Sequence, residues 1–494
     1  MRNLKLTAVA LLMLFALASC QKKAYIQTIP KEASVVVSAN IAKIATEADL
    51  ENSSLMQMVK MYVGMITAGE AKQQIQSYVD SPEKMGIDFT APLYFFRAND
   101  FAGVTMRVSD EGDVEDFIDM LSAQGMAKKQ GETNGVKMVM LMDDLVISYN
   151  DNTLLLLGKL GGGQDPRRAA AELMQQAEEE SFVATEGFEK MQEKGKDDLV
   201  AYSNGSALSG TKLESVKSFL PKGVRPADIE IVSAYSFEDG KAVLSAEING
   251  KSKEIQKLLK EGNENFHKIE GRYINSPQAD FAVWACAGVK GPWLLEQLKQ
   301  DIHTKQLLLM LERAIDIEQI IRNVDGDMAI TLPKSILGAD SIQNVDYMLT
   351  AHVENTDFLK DVDYWQKTMK DYGMTMSRSK GNDFILKAGD NTLNWGVDDE
   401  DVYFSSTRMF AANAVSQRSD LLTAYENQIK KSQIFLYVNL DVLFASYRNA
   451  NTPYIDKAIR QMKSLIIKSE SSNAVELTLE LKNPSVNFLK ALLQ

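Results

Sequence analysis

Apolar runs of strand length alternate along this chain with stretches of helical period, and polar turns separate them. The clearest instance is Ile29–Ile44, where Val35-Val36-Val37 runs into Asn40 and then into a helical repeat through Ile41 and Ile44. So many β-branched residues together fit a strand covered on both faces. Asparagine tolerates a tight turn and can cap the helix that follows it. A strand over Ser34–Ala39 and a helix after Asn40 are therefore predicted. The pattern returns at Leu199–Ser203 with Asn204, at Phe281–Cys286 with Gly288 in the turn, and at Gln433–Val438 with Asn439.

Between these landmarks the two halves of the chain read alike. Ser54–Ile66 has helical period with Met58, Met61, Tyr62 and Met65 on one stripe, which predicts core filling. A hairpin over Ala91–Arg97 and Gly103–Ser109 precedes a helix at Asp113–Ala123. A meander at Lys137–Met142, Leu145–Tyr149 and Thr153–Leu157 then leads to a helix from Pro166 to Gln176. After Asn204 come a helix (Leu213–Phe219), a hairpin (Ile229–Phe237 with Ala242–Ile248) and a helix (Ser252–Glu261). The second half follows the same plan. A helical stretch over Leu294–Ile321 leads to a hairpin (Asp327–Leu332 with Tyr347–Val353) and a helix at Thr356–Met369. The meander follows at Asp383–Lys387, Thr392–Gly396 and Val402–Ser405. After Asn439 come a helix near Tyr454–Met462, the hairpin Leu465–Ser469 with Ala474–Leu481, and a helix at Ser485–Leu493. Agreement of order, polarity and turns marks an internal repeat. The predicted fold class is α+β, internally duplicated, with mainly antiparallel sheets and helices packed on one face. Periodicity fits both a sheet in each half and one sheet shared by the halves.

Length changes this picture little, since 494 residues exceed one ordinary core. With 45% hydrophobic and 24% charged residues the chain has a globular composition. The net charge of −13, with no basic aromatic stripe to offset it, argues against a nucleic-acid partner. The amino terminus is more specific. Met1–Cys20 has a basic start (Arg2, Lys5), an apolar run from Leu6 to Leu17 and small residues before a cysteine, as a secretory signal does. Leu17-Ala18-Ser19-Cys20 is similar to a bacterial lipobox. It predicts a signal peptide over 1–19, lipidation at Cys20, a lipidated tether over 20–28, a first half over 29–270 and a second over 271–494. Two or three acyl chains on one residue anchor a protein to a bilayer, where one chain holds it marginally.

Taken together, the lipobox, the Ile29-Pro30-x-x-Ala33 strand with Asn40, and Pro82-Glu83-Lys84-Met85-Gly86-Ile87-Asp88 followed by Pro92-Leu93-Tyr94-Phe95-Phe96 resemble the Bacteroidetes lipoproteins catalogued as domain of unknown function 4836. The similarity covers essentially the whole mature chain. It implies a place in the cell envelope and carries no activity or catalytic residues. Gln21-Lys22-Lys23 lacks the acidic cluster that resembles the surface-export signal of such lipoproteins, so the periplasmic face of the outer membrane is expected.

Chemistry is sparse. His267, His303 and His352 stand apart, without metal-ligand spacing, and read as isolated structural or surface residues. Ser203-Asn204-Gly205-Ser206 sits where a nucleophile could, but turn chemistry accounts for it. Gly158-Lys159-Leu160-Gly161-Gly162-Gly163 lacks the ending of a phosphate loop and reads as a connector. Asp398–Asp401 reads as a solvated hairpin turn in preference to a calcium loop. Cys286 reads as a buried structural thiol. No cofactor or metal is expected. The function expected is that of a cell-envelope lipoprotein, a non-enzymatic binding or scaffold protein whose partner is an envelope protein or glycan. The alternatives are a hydrolase acting on an envelope polymer and a carrier of an apolar ligand. A carboxylate pair repeated in both halves would favour the first alternative, and an enclosed apolar cavity the second.

Overall fold

The structure, a computed structural model, describes residues 24–66, 70–142, 144–161, 164–208, 224–276, 281–312, 315–332, 346–389, 391–406, 419–444 and 458–493. Cys20 with its signal segment, and the helix predicted over Leu213–Phe219, lie outside the described residues. The fold is α+β, and the chain divides into two compact units.

The first unit comprises Met1–Asp239, Ala246–Ile255 and Ser485–Gln494. Its strands are β1 (Val35–Ala39), β2 (Leu93–Ala98), β3 (Phe101–Arg107), β4 (Lys128–Thr133), β5 (Val136–Met142), β6 (Leu145–Tyr149), β7 (Thr153–Lys159), β8 (Leu199–Asn204) and β9 (Ile229–Glu238), with β10 (Lys241–Gly250) next in the chain. They lie in the order β9-β8-β1-β2-β3-β7-β6-β5-β4, and every neighbouring pair is antiparallel. β1 is central. Val36, fully buried, faces Phe96 on β2 and Tyr202 on β8, while Val35 and Val37 are half-buried. Phe96 lies over Gly103 of β3, where a Cβ would overlap the ring. At the end of β1, Asn40 accepts the Lys43 amide at 3.2 Å and starts the helix Ile41–Glu47. One apolar cluster gathers Val36, Phe96, Leu155, Leu157, Phe182 and Tyr202. A second, under the meander, gathers Val114, Ile118, Val139, Ile147 and Leu154.

The second unit comprises Gly240–Ser245 and Gln256–Pro484. Its strands are β11 (Val283–Lys290), β12 (Val324–Leu332), β13 (Met348–Val353), β14 (Met374–Lys380), β15 (Asp383–Ala388), β16 (Asn391–Asp398), β17 (Asp401–Ser405), β18 (Ile434–Asn439), β19 (Met462–Ser471) and β20 (Ala474–Leu481). Their order is β20-β19-β18-β11-β12-β13-β17-β16-β15-β14, again antiparallel throughout. Adding ten to each label of the first order gives the second from β19 to β14, with β20 added beyond β19, so the duplication extends to topology. Trp284 takes the place of Val36, between Thr331 and Tyr437. Beneath the second meander Trp395 stacks on Phe384 with ring centroids 4.5 Å apart and donates its indole N–H to the Met376 sulfur at 3.3 Å.

Several expectations need correction. From Ala24 the segment expected as tether is a 3-10 turn built into the core: the Tyr25 hydroxyl donates to the Pro92 carbonyl at 2.9 Å, and Tyr25, Ile26 and Thr28 are buried. The helical stretch Leu294–Ile321 is three helices, Gly291–Gln300, Ile302–Leu311 and Ile317–Arg322. Asp301, in extended conformation, interrupts it and accepts the Thr304 amide at 2.9 Å. Gly288 is no turn. It lies within β11, where a Cβ would come 2.7 Å from the His267 carbonyl, and the helix starts at Gly291-Pro292. Met462 opens β19 instead of closing a helix.

The units also depart from the division at residue 270. Residues 256–270 belong to the second unit, where the Ser472 hydroxyl donates to the Leu259 carbonyl and the Ser472 amide to Asn263 at 2.9 Å. The closing helix Phe488–Leu493 belongs to the first. There Phe488 stacks on Phe237, Asn487 donates to the Phe237 carbonyl at 2.6 Å, and Lys490 pairs with Asp49 at 2.8 Å.

Candidate functional site

The residues singled out in the sequence do not converge. His267 pairs with Asp325 at 2.9 Å on the surface of the second unit. His352, on β13, faces Asp401 at 3.4 Å and Glu400 at 3.9 Å. Asp401 also accepts the Tyr273 hydroxyl at 2.8 Å, so this end of the Asp398–Asp401 turn is spent on internal bonds, while Asp399 turns the chain with a φ of 50°. Burial, ahead of the Asp401 contact, pushes the Tyr273 phenol up. His303 falls on the helix Ile302–Leu311, and its side chain lies outside the described residues. Ser203 is the penultimate residue of β8, opposite Val35, and Asn204 accepts the Ser206 amide at 3.0 Å, an Asx turn. Gly158 is a β7 residue paired with Leu145, and Gly162-Gly163 lies outside the described residues. Cys286 is buried, and burial pushes its thiol well up. Among the described residues, no group of three or more His, Cys, Asp or Glu could hold a metal ion.

Among the described residues, two carboxyl groups are pushed above the ordinary range. Glu47 is raised by burial and then by Asp198, against the pull of Lys43. Lys43 lies 2.7 Å from the buried Asp198, whose other oxygen accepts the Phe237 amide at 2.6 Å. In the second unit Glu312 is raised by burial and by Asp316, while the Glu318 amide it accepts at 3.2 Å pulls it down. The two are not copies. Glu47 ends the helix after β1, with its partner ahead of β8; Glu312 follows the helix Ile302–Leu311, and Gln433 holds the place ahead of β18. Tyr202 and Lys251 hold Glu230 in one unit, and Tyr425, Lys463 and Ser464 hold Glu480 in the other. Each cluster ties elements together.

A cleft of about 620 Å³ opens between the helices Glu70–Asp80 and Glu111–Ala123. Tyr78, Lys84 and the carboxylates Asp113, Asp116 and Asp119 are among its walls, so it is no apolar cage.

The surface feature that stands out is the methionine stripe, and it overturns the expectation of core filling. On the helix Ser54–Ile66, Met58, Met61, Tyr62 and Met65 are 53%, 60%, 61% and 68% exposed, and Leu55 and Val59 join them. Among the described side chains of this helix, Val63 is the buried apolar one. At 100° per residue the six exposed side chains form one continuous arc of roughly 160°. The second unit carries a less one-sided apolar helix at the same place, between β11 and β12, with the exposed Gln306 among its apolar residues. On Ile302–Leu311 the exposed residues include Ile302, Leu307, Leu309 and Met310, with Leu308 buried. Leaving such side chains in water forgoes about 1.5–3 kcal/mol each. Because these side chains are about half exposed, the burial left unused is roughly 5 kcal/mol for either helix, and patches of this kind mark interaction surfaces. Helical period reveals which residues share a face; it is silent on which way that face points, so sequence reasoning missed this site. The signal available was the absence of Asp and Glu from both helices.

A family model described as Domain of unknown function (DUF4836) matches residues 25–489. No curated protein matches the chain. Solved structures of TP0453 are similar at low identity. Crystal form IV is 11% identical, covering 45% of this chain and 79% of that one, with a TM-score of 0.27. Crystal form III is 12% identical, covering 50% and 89%, also with a TM-score of 0.27. At those TM-scores the likeness carries no argument.

Proposed function

We propose that this chain, which belongs to the family described as Domain of unknown function (DUF4836), is a lipid-anchored cell-envelope protein that works by binding and not by catalysis. Cys20 is the lipidation point in this reading, and the protein is held at the outer membrane facing the periplasm. The observation that carries the binding role is the exposed apolar helix present in each unit, a surface that the fold itself leaves uncovered. The titratable groups support the same reading, because their partners are structural: Asp198 holds the Phe237 amide, Asp401 holds Tyr273, and Glu480 holds Tyr425 and Ser464.

The test joins metabolic labelling with a clickable fatty acid to crosslinking in intact cells, with wild type beside Cys20→Ala. Wild type is expected to carry label, to sediment with envelope membranes and to crosslink to an envelope component. Cys20→Ala is expected to lose the label and the sedimentation. An unlabelled, freely soluble wild type overturns the anchor, and turnover of a purified envelope polymer by the protein overturns the non-catalytic role.

A further inference from the structure

We infer that the helices Ser54–Ile66 and Ile302–Leu311 are interfacial elements that lay their exposed apolar faces into the headgroup–acyl boundary of a lipid bilayer. The inference deepens the reading above and rests on it for the anchor, while the helices themselves supply the evidence for what they touch. The chain carries 67 Asp and Glu in 494 residues, yet neither helix contains one, a property shared with the closing helix Phe488–Leu493. Lys60 and Lys305 are their lysines, and Lys60 pairs with Asp80 at 2.9 Å. An acidic side chain on either face would be driven back by the phosphate layer and costly to immerse.

The faces agree in character and differ in sequence. Ser-Leu-Met-Gln-Met-Val-Lys-Met-Tyr-Val-Gly-Met-Ile is methionine-rich, whereas Ile-His-Thr-Lys-Gln-Leu-Leu-Leu-Met-Leu is leucine-rich. A protein partner is recognised through particular side chains in complementary pockets. A bilayer reads apolarity without direction, which is what the two helices share. Tyr62, 61% exposed, has the apolar ring and polar tip that settle at a membrane interface. With 13 and 10 residues the helices span about 20 and 15 Å, short of the roughly 30 Å hydrocarbon core, so they lie on the membrane. Among the described residues no helix is long and apolar enough to cross a membrane. The tether agrees. Cys20 precedes Ala24 by four residues, at most about 14 Å of extended chain, and Tyr25 is already locked against Pro92. An acylated Cys20 therefore holds the first unit against the bilayer surface.

The experiment uses the mature chain carrying Cys20→Ser, so that acyl anchoring plays no part, and vesicles of phosphatidylethanolamine with phosphatidylglycerol. Flotation of the protein with the vesicles is expected, persisting at about 0.5 M salt because insertion and not charge drives it. Met61→Glu with Met65→Glu, and separately Leu307→Glu with Met310→Glu, are each expected to lower the partition coefficient about tenfold. Far-UV circular dichroism and Tm should stay unchanged, since all four positions are exposed. No flotation of the parent overturns the inference, as does flotation lost in salt or equal flotation of all variants. Concentration-dependent dimers abolished by the same substitutions, without vesicle binding, overturn it in favour of a second copy as occupant. Because Cys20 is absent throughout, this result and the fatty-acid labelling result fail independently.

Discussion

The Asp327 carboxylate is sealed from solvent within β12, yet its oxygens accept three backbone amides: Glu270 and Gly271 at 2.8 Å and Arg272 at 2.9 Å. Those amides belong to a loop that cannot otherwise pair, so the carboxylate organises the strand's surroundings. Asp327→Ala would strand three donors and is expected to cost about 3 kcal/mol or more in urea unfolding, with Asp327→Asn costing less. Glu47 presents the opposite case. Its folded-state pKa is raised, so folding disfavours the ionised form; the associated stability is present while the proton is held and is lost as pH rises through the folded pKa. One buried oxygen of Glu47 also has no hydrogen-bond partner. Glu47→Gln supplies an N–H for Asp198 and removes the charge. The variant is expected to be more stable than wild type near neutrality by about 1 kcal/mol, a gain that fades as pH falls to about 4. Chemical denaturation across that pH range reads both.

Elements repeat the lesson with packing in place of charge. On the helix Ser54–Ile66, Met58→Ser and Met61→Ser are expected to leave stability within about 0.5 kcal/mol, whereas Val63→Ala, at the buried position, should cost about 1 kcal/mol. Thermal or urea midpoints distinguish the two classes. Much of the architecture was legible in the chain itself, because β1, β8, β11 and β18 are short apolar runs ended by sharp changes of polarity. The strands β4 and β14 were not. Lys128-Lys129-Gln130-Gly131-Glu132-Thr133 is exposed along its length, and Met374–Lys380 buries Met376 alone; both are edge strands set by pairing with β5 and β15, which no local pattern announces. Gly288 misled because a glycine forced by close backbone approach looks, in sequence, like one that makes a turn. The exposed helices misled for a related reason, since burial depends on what lies opposite and not on the helix.

At the scale of the molecule, one strand order occurs twice while the aromatic content diverges. All four tryptophans, Trp284, Trp293, Trp365 and Trp395, belong to the second unit. Indole emission therefore follows that unit alone. Phe488→Ala removes a buried ring from the first unit and is expected to destabilise it by about 3 kcal/mol. Circular dichroism should register the loss, and the tryptophan transition should stay in place. A concurrent shift of the emission midpoint would contradict the assignment of the closing helix.

That assignment bears on how the protein is made. The helix Phe488–Leu493 lies beyond every strand of the second unit in the chain, yet it packs into the first. The first unit therefore gains the Phe488 and Lys490 contacts only once the strands of the second unit have been synthesised, although amino-terminal domains ordinarily fold first.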